Sequence, residues 1–335
     1  MVATDLAEVL GLLTLTPKGT DCFVGGQPEI SGARVFGGQL LAQAIRAASH
    51  TQPEERTPHS AHAYFLRPGK PSEPIHYTVT RLRDGGSFSA RRVVAQQEHG
   101  TLLELLVSST TVPDESRFHP AMPDVPAPDE LTPVHEQLRS YAHELDGWWV
   151  RPRPFEVRYI GPPPRAALDD DALDPADPVN RVWVRPNGRV PDDPVLRRCL
   201  LAYTSDMTLL DPLMRRNRRT SRGPGSVGSL DHAIWFHGDP DLSDWLLYDQ
   251  RAVGGSARRG LCEGFLHQRD GRLVCSVAQE GFLGPVDRSG GGGGGGGGAG
   301  PPPPEGGGGG RGGGGGGGAH TPRPRGGAPP PPPPP

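Results

Sequence analysis

Asp192 to Leu213 reads DDPVLRRCLLAYTSDMTLLDPL, and the fold turns on how this stretch is understood. Two aspartates ahead of Pro194 mark a helix N-terminus, because carboxylates suit the positive end of a helix and proline is tolerated in its first turn. Behind them Leu196, Cys199, Leu200, Leu201, Ala202, Tyr203, Met207 and Leu210 spread over nearly every face. A helix apolar on most sides is buried inside a domain. Asp206 nevertheless sits on it, and a buried carboxylate is costly unless it is hydrogen-bonded or paired. It is therefore either a satisfied structural group or a working acid.

Working outward, the question is what buries that helix. An Ala/Leu-rich helix, GQLLAQAIRAASH, opens on Gly37 and Gly38. Its first backbone N–H groups lack helical partners and suit a polar or anionic ligand atom, although two glycines serve a tight loop-to-helix turn equally well. From His62 to Pro113 the pattern changes to strands: HAYFL, then IHYTVTRL with Ile75, Tyr77 and Val79 alternating, FSARRVVAQQ and LLELLVSSTTV. Asp84-Gly85-Gly86 and His99-Gly100 supply turns between them. A helix followed by an antiparallel meander is an α+β unit whose sheet can wrap the helix.

A proline-rich connector follows, with a helix expected over about Glu136–Leu145 and strands at Phe155–Ile160 and Arg181–Arg185. The second half then echoes the first. Leu40-Leu41-Ala42 matches Leu200-Leu201-Ala202, His62-Ala63-Tyr64-Phe65 matches His232-Ala233-Ile234-Trp235-Phe236, and Gly100-Thr101-Leu102 matches Gly271-Arg272-Leu273. Gly86 to Arg92 similarly matches Gly254 to Arg259. Repeated order with loop-sized differences implies an internal duplication. The expected organisation is a first unit over 1–113, a connector over 114–150, a second unit over 151–288 and a low-complexity tail over 289–335.

The tail holds 24 of the 49 glycines and 13 of the 40 prolines, and apart from those prolines its only apolar side chain is alanine. Such a segment cannot bury a core, so disorder is expected there. A net charge of −3 gives no reason to propose nucleic-acid binding. No run approaches membrane-spanning length, and the N-terminus carries Asp5 and Glu8 instead of a basic leader, which points to a cytoplasmic protein. Cys22, Cys199, Cys262 and Cys275 show no CxxC spacing and read as reduced packing residues.

Several segments together resemble the acyl-CoA thioesterase II (TesB-like) family. They are RVFGGQ at 34–39, HAYFLRPG at 62–69, LRDGGSFSARRV at 82–93, YTSDM at 203–207, SLDHAIWFH at 229–237 and QEG at 279–281. The resemblance implies a double hotdog, meaning two fused α+β units whose antiparallel sheets each wrap a central helix. It implies hydrolysis of fatty acyl-CoA to fatty acid and CoA by a water that Asp206, Ser229 and Gln279 hold, with no metal or organic cofactor, in a homo-oligomer. Relatives commonly carry threonine where Ser229 stands, and serine keeps the hydroxyl while losing the methyl that restricts its rotamer. Gly38, at the N-terminus of the first helix, is a candidate oxyanion donor.

Rival readings stay open at this level. Asp206 and Gln279 suit ordinary structural roles. Ser229 as a nucleophile with His232 or His237 needs a tight elbow, and no GxSxG occurs. Residues 229 and 232 also lie on opposite faces of a strand, which places His232 badly as the base for Ser229. His59 and His62 form a further base pair candidate. Arg215, Arg216, Arg218, Arg219 and Arg222, with Arg91, Arg92, Arg258 and Arg259, are candidates for the CoA phosphates, against a solvated basic loop. A hotdog enoyl- or hydroxyacyl-thioester hydratase or dehydratase, and a non-catalytic acyl-CoA-binding protein, are the rival functions.

Overall fold

The computed structural model describes residues 3–28, 34–112, 118–171, 174, 176–222 and 226–285. The tail expected over 289–335 lies outside the described residues. The helices are α1 (Leu6–Leu12), α2 (Gly37–Ser49), α3 (Val134–Gln137), α4 (Pro164–Ala167), α5 (Pro194–Thr208) and α6 (Asp211–Arg216). The first-half strands are β1 (Thr16–Gly19), β2 (Cys22–Gly25), β3 (Thr57–Phe65), β4 (Ile75–Asp84), β5 (Phe88–Gln97) and β6 (Gly100–Thr110). The second-half strands are β7 (Phe155–Ile160), β8 (Val179–Pro186), β9 (Val227–Ser229), β10 (Asp231–Phe236), β11 (Leu246–Ser256), β12 (Arg259–Gln268) and β13 (Leu273–Leu283).

Among the described residues one 13-stranded sheet runs β1-β2-β4-β5-β6-β3-β10-β13-β12-β11-β8-β7, with β9 added beside β13. The pairs between neighbours are antiparallel, and β3 against β10 is the seam that joins the two halves. Each half is a meander around one buried helix, α2 in the first and α5 in the second, and the two helices pack against each other. This is a double hotdog. The alternating strands explain the burial: Ile75, Tyr77 and Val79 point inward from β4 while His76, Thr78 and Thr80 face out. No helix among the described residues is long and apolar enough to cross a membrane.

The helix expected over 192–213 is broken in two. Asp193 caps α5, its carboxylate accepting from the N–H groups of Val195 and Leu196 at 2.9 Å each. The helix stops at Thr208 because Pro212 has no N–H for the carbonyl four residues back, and α6 starts afresh with that proline in its first turn. The helix expected at Glu136–Leu145 is likewise only α3, one turn long, followed by short 3-10 turns; Leu145 and Asp146 take positive φ of 47° and 55°, which no helix accommodates. The hairpin β1–β2 and the three-residue β9 carry too little periodicity to be seen in the sequence.

The matched His62 and His232 are not equivalent. His62 faces outward, edge-on to Trp235 at 5.0 Å, whereas His232 is buried on the inner face. A one-residue slip reverses the face of a strand, so similarity of letters was one register off similarity of position.

Candidate active site

The last turn of α5, the end of β9 and the middle of β13 bring Asp206, Ser229 and Gln279 together. Ser229 pairs with Gly281, so Ser229 and Gln279 lie diagonally on one face of adjacent strands. Gln279 Nε2 donates to Asp206 Oδ1 at 2.7 Å and to Ser229 Oγ at 2.6 Å. Ser229 Oγ stands 3.5 Å from Asp206 Oδ1, at the outer limit of a hydrogen bond.

The first turn of α2 closes the other side. The Gly38 N–H donates to the Asp206 carboxylate. A Cβ at Gly37 would lie 2.7 Å from Asp206 Oδ2, and one at Gly38 would lie 2.5 Å from the Tyr203 carbonyl, so the close approach of α2 to α5 requires glycine at both positions. The helix N-terminus therefore faces the same site as Asp206, but the Gly38 N–H is engaged by that carboxylate and is not an idle oxyanion donor.

The Asp206 side chain is only 4% exposed. Burial pushes its carboxyl up to about 6, against the opposing pull of the hydrogen bonds from Gln279, Gly38 and Ser229 and of the Arg34 charge. It is thus poised near neutrality, where a general base works best.

His232 completes the arrangement, through Gln279 rather than as the base for Ser229 that the sequence offered it for. The chain does not run straight from 229 to 232: β9 ends at Ser229, Leu230 turns, and β10 starts at Asp231. Both residues consequently reach Gln279, one at each end of its amide. His232 Nδ1 is 3.1 Å from Gln279 Oε1 and its Nε2 is 2.9 Å from Ser205 Oγ. Burial lowers its pKa to about 4, so the ring is neutral near pH 7. Neither nitrogen is directed at Ser229, which removes the support for a Ser229–His232 nucleophile pair. His59 and His237 instead bond Ser108 and Ser276, at 2.8 Å each.

Most of the candidate phosphate arginines are occupied as structural ties. Arg215 donates to the carbonyl of Val179, Arg216 to that of Ala176, Arg218 to that of Leu168 and Arg219 to that of Gly284. Arg91 is buried against Thr51 and Asp84, Arg92 pairs with Glu104, Arg259 with Glu280, and Arg258, in the β11–β12 turn, holds the Leu283 carbonyl. Arg222 stacks over Trp148 at 3.9 Å.

Comparison with known proteins places the chain. A family model described as acyl-CoA thioesterase matches residues 175–282, and one described as acyl-CoA thioesterase N-terminal domain matches 27–112. The chain is 35% identical over 286 residues to acyl-CoA thioesterase 2 of Haemophilus influenzae, covering 83% of this chain and 97% of that relative. The chain belongs to the acyl-CoA thioesterase family. With it, the protein joins the thioester hydrolases. Among solved structures, the tesB protein of Mycobacterium avium subsp. paratuberculosis is 36% identical with a TM-score of 0.70, covering 84% of this chain and 100% of that one. The acyl-CoA thioesterase II TesB2 of Mycobacterium marinum is 32% identical with a TM-score of 0.67, covering 84% and 98%. One matched region of this acyl-CoA thioesterase lies in each sheet half, and Asp206, Ser229 and Gln279 all fall in the second.

Proposed function

We propose that the protein hydrolyses fatty acyl-CoA to fatty acid and CoA by direct attack of a water held between Asp206 and Ser229. The observation that carries this reading is the direct contact of three side chains drawn from separate elements, at 2.6 and 2.7 Å, around a carboxylate poised near neutrality. The hydrogen-bond inventory supports a definite division of roles. Gln279 spends both amide protons on Asp206 Oδ1 and Ser229 Oγ, so it positions those two groups. Ser229 Oγ retains a lone pair for one water proton and Asp206 accepts the other. The water's own lone pair then faces the thioester carbon.

As the oxygen bonds to carbon, its proton passes to Asp206; collapse breaks the C–S bond and the CoA sulfur takes that proton. In this scheme Gly38 holds the carboxylate, and the oxyanion donors are neighbouring first-turn N–H groups of α2, Gly37 and Gln39, which have no intrahelical partner. A cytoplasmic homo-oligomer remains part of the proposal; Tyr64, Leu106 and Trp235, exposed on the outer face of the central strands, support association there.

The test is thiol release from a series of acyl-CoA thioesters. Asp206→Asn is expected to lose about 10²- to 10⁴-fold in kcat and Gln279→Ala about 10²-fold, both folded. Acyl-CoA binding without thiol release by the native protein would instead favour a hydratase or a non-catalytic binder.

A further inference from the structure

The Gln279 amide has two orientations that differ by exchange of Oε1 and Nε2, and only one is compatible with an ionised Asp206. With Nε2 toward Asp206 Oδ1, the 2.7 Å contact is a charge-assisted hydrogen bond. With the amide turned over, Oε1 would face the carboxylate at that distance, two acceptors without a proton between them. Something must hold the amide the right way round. Among the described residues the other group bonded to it is His232, whose Nδ1 is 3.1 Å from Oε1.

We propose that His232 is a positioning residue: its Nδ1–H fixes the Gln279 amide so that both amide protons point at Asp206 and Ser229. The inference rests on the roles assigned above to Asp206, Ser229 and Gln279.

The proton directions follow from satisfying every group in the chain. The Ser205 hydroxyl lies 2.9 Å from both His232 Nε2 and the Ala202 carbonyl. Because Gln279 gives both amide protons to Asp206 and Ser229, its Oε1 can only accept, and His232 Nδ1 carries the proton it accepts. The neutral ring then leaves Nε2 as an acceptor, so the single Ser205 hydroxyl proton goes to it and the Ala202 carbonyl keeps the helical Asp206 N–H. The relay runs one way and ends on the catalytic carboxylate.

Its anchors are rigid. His232 lies on β10 one step beyond the Ala233–Ala278 pair, hence opposite Gln279, and the Tyr248 hydroxyl donates to the Ser205 carbonyl at 2.8 Å. The ring is buried and neutral, so it supplies a donor without a charge.

Losing the Nδ1–H donor lets the amide turn over and set Oε1 against Asp206. The carboxylate then becomes harder to ionise, and the acid limb of the rate profile moves to higher pH. The other titratable groups facing Asp206 are Arg34, whose charge favours the carboxylate, and the buried phenols of Tyr203 and Tyr248, which stay neutral.

The experiment measures kcat and KM against pH for His232→Leu, His232→Asn, Ser205→Ala, Gln279→Ala and the double variants with Gln279→Ala. His232→Leu is expected to lose about 10²-fold in kcat with KM nearly unchanged and its acid limb displaced upward. His232→Asn, whose amide can still donate near the Nδ1 position, is expected to recover most of that loss. In the Gln279→Ala background, replacing His232 is expected to cost nothing further, because the two act as one unit. A folded His232→Leu with native kcat, or a loss that adds in full to that of Gln279→Ala, overturns the inference. Should His232→Leu not fold, Ser205→Ala decides by the same cycle: an expected loss of about tenfold that vanishes with Gln279→Ala supports it, and additivity overturns it. Gln279→Ala with native kcat would instead sink the underlying assignment of the water site.

Discussion

The base proposed at Asp206 can act only when ionised, yet the side chain is held where ionisation is disfavoured. Its folded pKa of about 6 lies above the ordinary aspartate value of 3.8. Between these values the unfolded chain gives up a proton that the folded protein keeps. The contribution of Asp206 to stability is therefore full below the unfolded pKa and is lost as pH rises through the folded one. Asp206→Asn keeps an acceptor for Gln279 and has no such loss. Its stability is expected to be close to native near pH ~4 and to exceed it near pH ~8 by on the order of 2–3 kcal/mol, while turnover disappears. Thermal unfolding at the two pH values checks this, and an equal difference at both would sink it. Native turnover is expected to rise with pH through about 6 as the carboxylate ionises. At this scale Asp206 was legible as an acid on an apolar helix. Ser229 and Gln279 were visible only through resemblance, since a lone serine and a lone glutamine carry no pattern of their own. His232 was misjudged because the turn at Leu230 breaks the alternation that seemed to separate it from Ser229.

The contact between α2 and α5 is the element that sets the site. Gly38 has the Tyr203 carbonyl where a Cβ would stand, at 2.5 Å, and backbone cannot give way as a flexible side chain can. Gly38→Ala is expected to lift α2 away from α5, costing about 1–3 kcal/mol of stability and, through the displaced Gly38 N–H, about 10²-fold in kcat. Steady-state kinetics on the folded variant is the check; native kcat would show that the helix separation is unimportant to the chemistry. The strands β4 to β8 and the cap of α5 followed from periodicity and from Asp193. The break between α5 and α6 did not, because apolar side chains continue across Pro212 and masked its missing N–H.

In the whole molecule the duplication is real in its helices and unequal in its chemistry. Leu40-Leu41-Ala42 and Leu200-Leu201-Ala202 are buried on the paired helices α2 and α5. The α2 position matching Asp206 in that alignment is Arg46, which pairs with Asp193 at 2.9 Å, so the acid is present in one half only. Truncation after Arg288 is expected to leave unfolding temperature and turnover unchanged, since the tail offers no aliphatic side chain beyond alanine and proline and no aromatic one for an apolar core. Loss of either on truncation would assign the tail a structural part. The sequence by itself determined what depends on near neighbours: the buried character of both helices, the alternation of the strands, the existence of a repeat and the anomaly of Asp206. Only the tertiary structure decided which groups meet, because the Asp206–Ser229, Ser229–Gln279 and Asp206–Gln279 contacts span 23, 50 and 73 residues of chain. Their meeting depends on strand register, and register is fixed by pairing between strands rather than by any residue's own neighbours.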